Sequence, residues 1–174
     1  EWGASAVVVQ GDTRSAMRYG LEAFESKVPL VHYEAGVRTW NLKEPHPEEG
    51  YRRALDYICD LALCPTAYEC GNLNAAGHKK MVRMKGGGNV FIVGNPACES
   101  LKYFIDKNAK RRNRCVITCH RAENRTDRRM KNLMEAVCFI AREYPSWRFV
   151  WVKHLRPDWA AEVERRFADL ELPK

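Results

Sequence analysis

Three carboxylates, Asp12, Glu34 and Glu48, and two imidazoles, His120 and His154, are the side chains of this sequence best placed to do chemistry. Most of the candidates stand where a short apolar run gives out. Val7-Val8-Val9-Gln10-Gly11 leads to Asp12, and Leu30-Val31-His32-Tyr33 leads to Glu34. Val90 to Gly94 leads to Asn95, Val116 to Cys119 leads to His120, and Phe149 to Lys153 leads to His154. In a parallel sheet such positions share the carboxyl edge, where open α/β folds hold their ligands. Taken singly, Asp12 or Asn95 reads as a cap or turn former; the whole set together reads as a ligand cleft. Carboxylates held near one another differ in proton affinity, which equips them for separate acid and base roles. An imidazole at a strand end followed by a helix N-terminus suits a phosphate or diphosphate. Arginines at 38, 52 and 121 complete the inventory. For Glu48 and Glu49 the plain alternative is pairing with a helix dipole, worth about 0.3–1 kcal/mol each. That reading suits Glu49 better than Glu48. His32 and His46 read as packing and capping residues.

The elements that must carry these groups alternate. Strands are predicted at about residues 5–10, 28–33, 61–64, 90–93, 114–119 and 147–152, from apolar runs bounded by turn residues. Between them, Thr13 is a plausible N-cap for a helix to about Phe24, and Pro47 is predicted as the first residue of a helix to about Ile58. Further helices are predicted after Pro65-Thr66, from about Ala97, from about Asp127 to Glu143, and from Pro157. Lys79 to Asn89, with Gly86-Gly87-Gly88, reads as a loop. Strictly alternating strands and helices imply an α/β fold with parallel Rossmann-like sheets. The charged stretch after residue 100 reads as a connection, dividing the chain into units 1–105 and 106–174.

The totals exclude several classes. The chain has 174 residues and 45% apolar content, enough to build a core. No run approaches the roughly 18–20 apolar residues of a membrane span, so no membrane partner is expected. Glu1-Trp2-Gly3-Ala4-Ser5 has no basic start or signal-peptide core, and a chain opening so close to a core strand reads as a fragment. Seven cysteines, an odd number scattered through predicted strands and helices, argue for reduced thiols in a cytoplasmic protein. Cys115 and Cys119 would share a strand face beside His120, but no second ligand pair stands nearby, so neither a metal nor a cofactor is expected. The net charge of +7 is concentrated in residues 102–131, which hold 11 Lys and Arg against 3 Asp and Glu. A solvated connector and phosphate attraction both account for this. Nucleic acid does not fit, because only Tyr103 and Phe104 interleave with the basic residues.

Taken in order, Gly11-Asp12-Thr13, His32-Tyr33-Glu34-Ala35-Gly36-Val37-Arg38-Thr39, Pro47-Glu48-Glu49 with Arg52, Gly94-Asn95, and His120-Arg121-Ala122-Glu123-Asn124 form an ordered set. That set closely resembles the UDP-N-acetylglucosamine 2-epimerase family, and the resemblance covers about the middle half of such an enzyme. It implies parts of two Rossmann-like domains in a glycosyltransferase-B-like architecture, and interconversion of UDP-GlcNAc and UDP-ManNAc. In such enzymes UDP is eliminated to give a 2-acetamidoglucal and is then re-added. The resemblance assigns catalysis to Asp12, Glu34, Glu48 and His120. It assigns substrate binding to Arg38, Arg52, Asn95, Arg121, Glu123 and His154. The implied partner is a UDP-sugar, and the full-length protein is expected to be a homodimer.

The sequence also departs from the family's pattern. Cys119 replaces the usual glycine before the histidine, Ala122 replaces a second arginine, Arg125-Thr126 replaces Phe-Gly, and Tyr51 replaces an asparagine. A hydrolysing relative that releases ManNAc and UDP shares much of the pattern. A glycosyltransferase of the same architecture would need a different residue set. A non-catalytic sugar-nucleotide binder, or an inactive folding fragment, is the alternative from another class.

Overall fold

The computed structural model describes residues 3–77, 89–106, 108, 110, 112–119 and 121–168. The chain divides into two units, Glu1–Ile105 and Asp106–Lys174. In the first, β1 (Val7–Gln10), α1 (Arg14–Glu25), β2 (Leu30–Tyr33), α2 (Glu48–Ile58), β3 (Leu61–Cys64), α3 (Ala67–Ala75), β4 (Val90–Ile92) and α4 (Pro96–Phe104) follow one another. In the second, β5 (Arg114–Ile117) is followed by a short 3-10 turn (Ala122–Arg125), α5 (Asp127–Glu143), β6 (Arg148–Trp151) and α6 (Pro157–Ala168). The α/β expectation is borne out, and every strand pair among the described residues is parallel. The predicted glycine-rich loop falls almost wholly outside the described residues.

The first sheet runs β1-β2-β3-β4 in spatial order. Each step goes the same way, and right-handed crossovers then put the connecting helices on one face. The core shows this directly. Val9, Leu30, Ala62 and Cys64 from the strands pack with Ala16 and Ala23 of α1, Leu55 of α2 and Leu73 of α3. Register aligns Val9 with His32 and His32 with Ala62, so one row of the pleat is buried. The alternate row looks the other way: Val8 is 65% exposed and Phe91 53%. The second unit pairs β5 with β6 and buries Met130 and Met134 of α5 against Trp159 and Val163 of α6, with Trp151 and Phe167 at the margin.

Local chemistry sets the helix starts. Thr13 caps α1 by accepting from the Ala16 amide at 3.1 Å, and Asn95 caps α4 through the Ala97 amide at 2.9 Å, with Pro96 opening that helix. Pro47 departs from expectation: α2 begins at Glu48, and Pro47 occupies the cap position without a side-chain cap bond. The strand predicted over 114–119 stops at Ile117, which leaves Cys119 in the turn beyond it.

Candidate active site

The first unit gathers its polar groups at the carboxyl edge of the sheet. Gly11 continues the β1 ladder by one residue, its amide donating to the Tyr33 carbonyl at 2.9 Å. Gly11 therefore lies beside Glu34, and a Cβ at Gly11 would sit 3.0 Å from Glu34 Oε2. Gly11, at φ +68, leaves that space open and turns the chain so that Asp12 follows directly. Glu34 itself has φ 66, a left-handed conformation that a long side chain adopts only when its surroundings enforce it. The enforcing bonds are the Ala35 amide to the Leu63 carbonyl at 3.1 Å and the Gly36 amide to Asp56 Oδ2 at 3.1 Å. Asp12 and Glu34 thus emerge from neighbouring strand ends.

Helix α2 supplies the groups that meet this edge. Glu48, Arg52 and Asp56 recur at four-residue intervals and so share one face. Arg52 reaches across to Asp12 Oδ2 in an ion pair, and its other terminal nitrogen lies 3.5 Å from Glu49 Oε2. Glu48 is half-buried at the start of the helix and has no polar protein partner among the described residues. Glu49 stands in the first turn of α2 as expected and has a further role: its carboxylate is fully buried and accepts from the Thr39 amide at 3.0 Å and the Trp40 amide at 3.3 Å. It ties the loop after β2 to the helix.

Asp56, which sequence reasoning missed, is the centre of a second network. It is fully buried, with Oδ1 2.5 Å from His32 Nδ1 and Oδ2 2.6 Å from Arg38 Nη1. His32 is also fully buried, and its Nε2 lies 2.9 Å from the Gly11 carbonyl. Arg38, assigned to substrate by resemblance, has its whole side chain buried in this network, with Nε and Nη2 making no hydrogen bond to protein. The signal that could have revealed Asp56 is its spacing, one turn beyond Arg52 on the same face as Glu48. Asn95, beyond β4, is engaged as the helix cap already described, and Gly94 accepts from the Tyr33 hydroxyl at 3.4 Å.

The second unit holds its own polar group. His154, after β6, has Nε2 3.2 Å from Arg125 Nη2, and its Nδ1 faces the Arg156 amide at 3.0 Å. Arg125, flagged only as a departure from the family pattern, stacks 5.4 Å above the Trp159 ring centre. Arg121 is exposed before the 3-10 turn that carries Glu123. His120 lies outside the described residues. Cys119 is buried, which pushes its thiol up; an Asn124 hydrogen bond and the Arg125 charge work against that rise. An apolar cavity of about 300 Å³, lined by Cys115, Ile140, Tyr144, Trp147 and Phe149, shares no residue with these groups. Among the described residues no helix is long and apolar enough to cross a membrane.

Comparison with known proteins gives the family. A family model described as UDP-N-acetylglucosamine 2-epimerase matches residues 2–172. A UDP-N-acetylglucosamine 2-epimerase of Neisseria meningitidis is 32% identical over 164 residues, covering 87% of this chain and 43% of that protein. One from Bacillus subtilis is 29% identical over 172 residues, covering 94% and 43%. Among solved structures, S. aureus MnaA with UDP superposes with a TM-score of 0.78 at 30% identity, over 93% of this chain and 44% of that one. The Methanocaldococcus jannaschii UDP-GlcNAc 2-epimerase in complex with UDP-GlcNAc and UDP gives 0.74 at 27%, over 99% and 48%. The chain spans less than half the length of each of these relatives.

Proposed function

Because the chain belongs to the UDP-N-acetylglucosamine 2-epimerase family, we propose that the protein it forms part of interconverts UDP-GlcNAc and UDP-ManNAc. Residues 1–105 would then be the later part of one Rossmann-like domain, and 106–174 the first part of a second. The observation that carries the reading is the adjacency of Asp12 and Glu34 at neighbouring strand ends, with Arg52 bonded to Asp12.

In the first step a base takes the C2 proton, the C2–H electron pair becomes a C1=C2 double bond, and the C1–O bond breaks with its pair leaving on UDP. In the second, a proton reaches C2 on the opposite face and the diphosphate oxygen returns to C1. Moving a proton on both faces of one carbon needs two groups, which are drawn from Asp12, Glu34 and Glu48. Arg52 orients Asp12, and the unpartnered Glu48 is free to meet substrate. The departing diphosphate needs cationic and hydrogen-bonding groups, the role proposed for His120, Arg121 and His154, with Asn95 and Glu123 contacting substrate. Arg38, sealed on Asp56, serves the site from behind. The full-length protein is proposed to work as a homodimer in the cytoplasm.

The test is NMR of UDP-GlcNAc with the full-length protein in deuterated buffer. Wild type should place deuterium at C2. Asp12→Asn, Glu34→Gln and Glu48→Gln should each lower kcat by a factor on the order of 10²–10⁴ with modest changes in KM. Near-normal exchange in all three variants would remove them from catalysis. Free ManNAc and UDP in place of UDP-ManNAc would assign the hydrolysing reaction instead.

A further inference from the structure

Asp56 is linked to both turns that carry the proposed catalytic carboxylates, to one through His32 and to the other directly, without reaching either carboxylate. One arm runs through His32. The Gly11 carbonyl can only accept a hydrogen bond, so His32 Nε2 carries a proton and donates it across 2.9 Å. The other ring nitrogen, Nδ1, lies 2.5 Å from Asp56 Oδ1. This fixes the ring plane, and with it the Gly11 carbonyl immediately before Asp12. The second arm is direct: Asp56 Oδ2 accepts the Gly36 amide at 3.1 Å, which holds the backbone two residues after Glu34 in its left-handed turn. Arg38 Nη1, 2.6 Å from the same oxygen, keeps that carboxylate oriented. All three side chains are fully buried, so the network is stiff and unscreened by water.

We infer that Asp56, acting through His32 and the Gly36 amide, is a positioning residue that sets the relative placement of Asp12 and Glu34. This rests on the epimerase reading above. A buried acid kept only for stability would not need to bond one turn and orient the imidazole that bonds the other. Placement matters steeply in such chemistry, because a displacement of about 1 Å can cost on the order of 10²-fold in rate.

The experiment uses the full-length protein with Asp56→Asn and, separately, His32→Gln. UDP titration counts folded binding sites, and kcat and C2 deuterium exchange are expressed per UDP-binding site. Both variants should bind UDP within about 3-fold of wild type while losing about 10–100-fold in kcat per site. In an Asp12→Asn background, Asp56→Asn should cost much less than it does alone, because its effect passes partly through Asp12. A merely structural role would lower the number of sites and leave kcat per site unchanged, which would overturn the inference. If neither variant yields UDP-binding protein, the network is a folding requirement and the inference is likewise overturned. Wild-type protein without C2 exchange would instead remove the epimerase reading itself, an outcome visible before any variant is made.

Discussion

Gly36 shows how tightly one residue can be specified. Its φ of +80 suits glycine, and a Cβ there would lie 2.2 Å from the Glu69 carbonyl oxygen and 2.8 Å from its carbon. Both neighbours are backbone and cannot swing aside. Its amide is held by Asp56 and its carbonyl by Asn72 Nδ2 at 3.0 Å, so the turn cannot shift either. Gly36→Ala should therefore destabilise the protein by more than about 2 kcal/mol, combining left-handed strain with overpacking. Urea unfolding of the full-length protein measures it; an unchanged midpoint would show that the turn relaxes freely. The buried thiols make a second case at this scale. Burial, reinforced by Asp56 for Cys59 and by Cys70 for Cys64, pushes both up to about 12 from an ordinary 9.0. A folded-state value above the unfolded one contributes stability that is fully present below pH 9 and lost as the pH climbs through 12. Iodoacetamide at pH 8 should modify exposed Cys98 and spare Cys59 and Cys64. Removing the two buried thiols should flatten the fall in stability above pH 9, and an unaltered alkaline slope would contradict the assignment.

Elements were legible where a local signal sets them. Helix α5 spans the predicted Asp127–Glu143 because Thr126 supplies a cap and Tyr144-Pro145 a stop. Asp12 and Glu34 were readable as a pair because strand ends are marked by the loss of apolar residues, and parallel pairing puts those ends on one edge. Asp56 was not readable in the same way. A carboxylate in the last turn of a polar-faced helix looks solvated until the partner strand places His32 against it. The loop contacts of Glu49 were hidden for the same reason, since the Thr39 and Trp40 amides that donate to it come from a loop with no period. The start of α3 allows a direct test of a local signal. Thr66 accepts from the Tyr68 amide at 3.1 Å, and its own amide donates to Glu69 Oε2 at 3.0 Å. Thr66→Ala should cost about 1 kcal/mol. The same turn presents the Glu69 carbonyl to Gly36, so the loss should also show as faster hydrogen exchange at the Gly36 amide. Protection there that does not change would separate the cap from the site.

For the whole molecule, the sheet order decides what a separate 174-residue chain can do. Strands laid down in the order β1-β2-β3-β4 bring the connecting helices α1 to α3 to one face, and the other row keeps Val8 and Phe91 in solvent. Among its described residues the second unit has two strands, and a pair that short is marginal without more of a sheet around it. The relatives it matches are more than twice as long. The separate chain should therefore bind a hydrophobic dye strongly and self-associate through its apolar sheet face and open edges. It should catalyse no measurable C2 exchange on UDP-GlcNAc, although Asp12, Glu34 and Glu48 are all present. The same NMR assay, run with this chain alone and with the full-length protein at equal concentration, decides the matter. Turnover by the separate chain would mean that these carboxylates and the groups of residues 106–174 suffice for both proton transfer and release of the diphosphate.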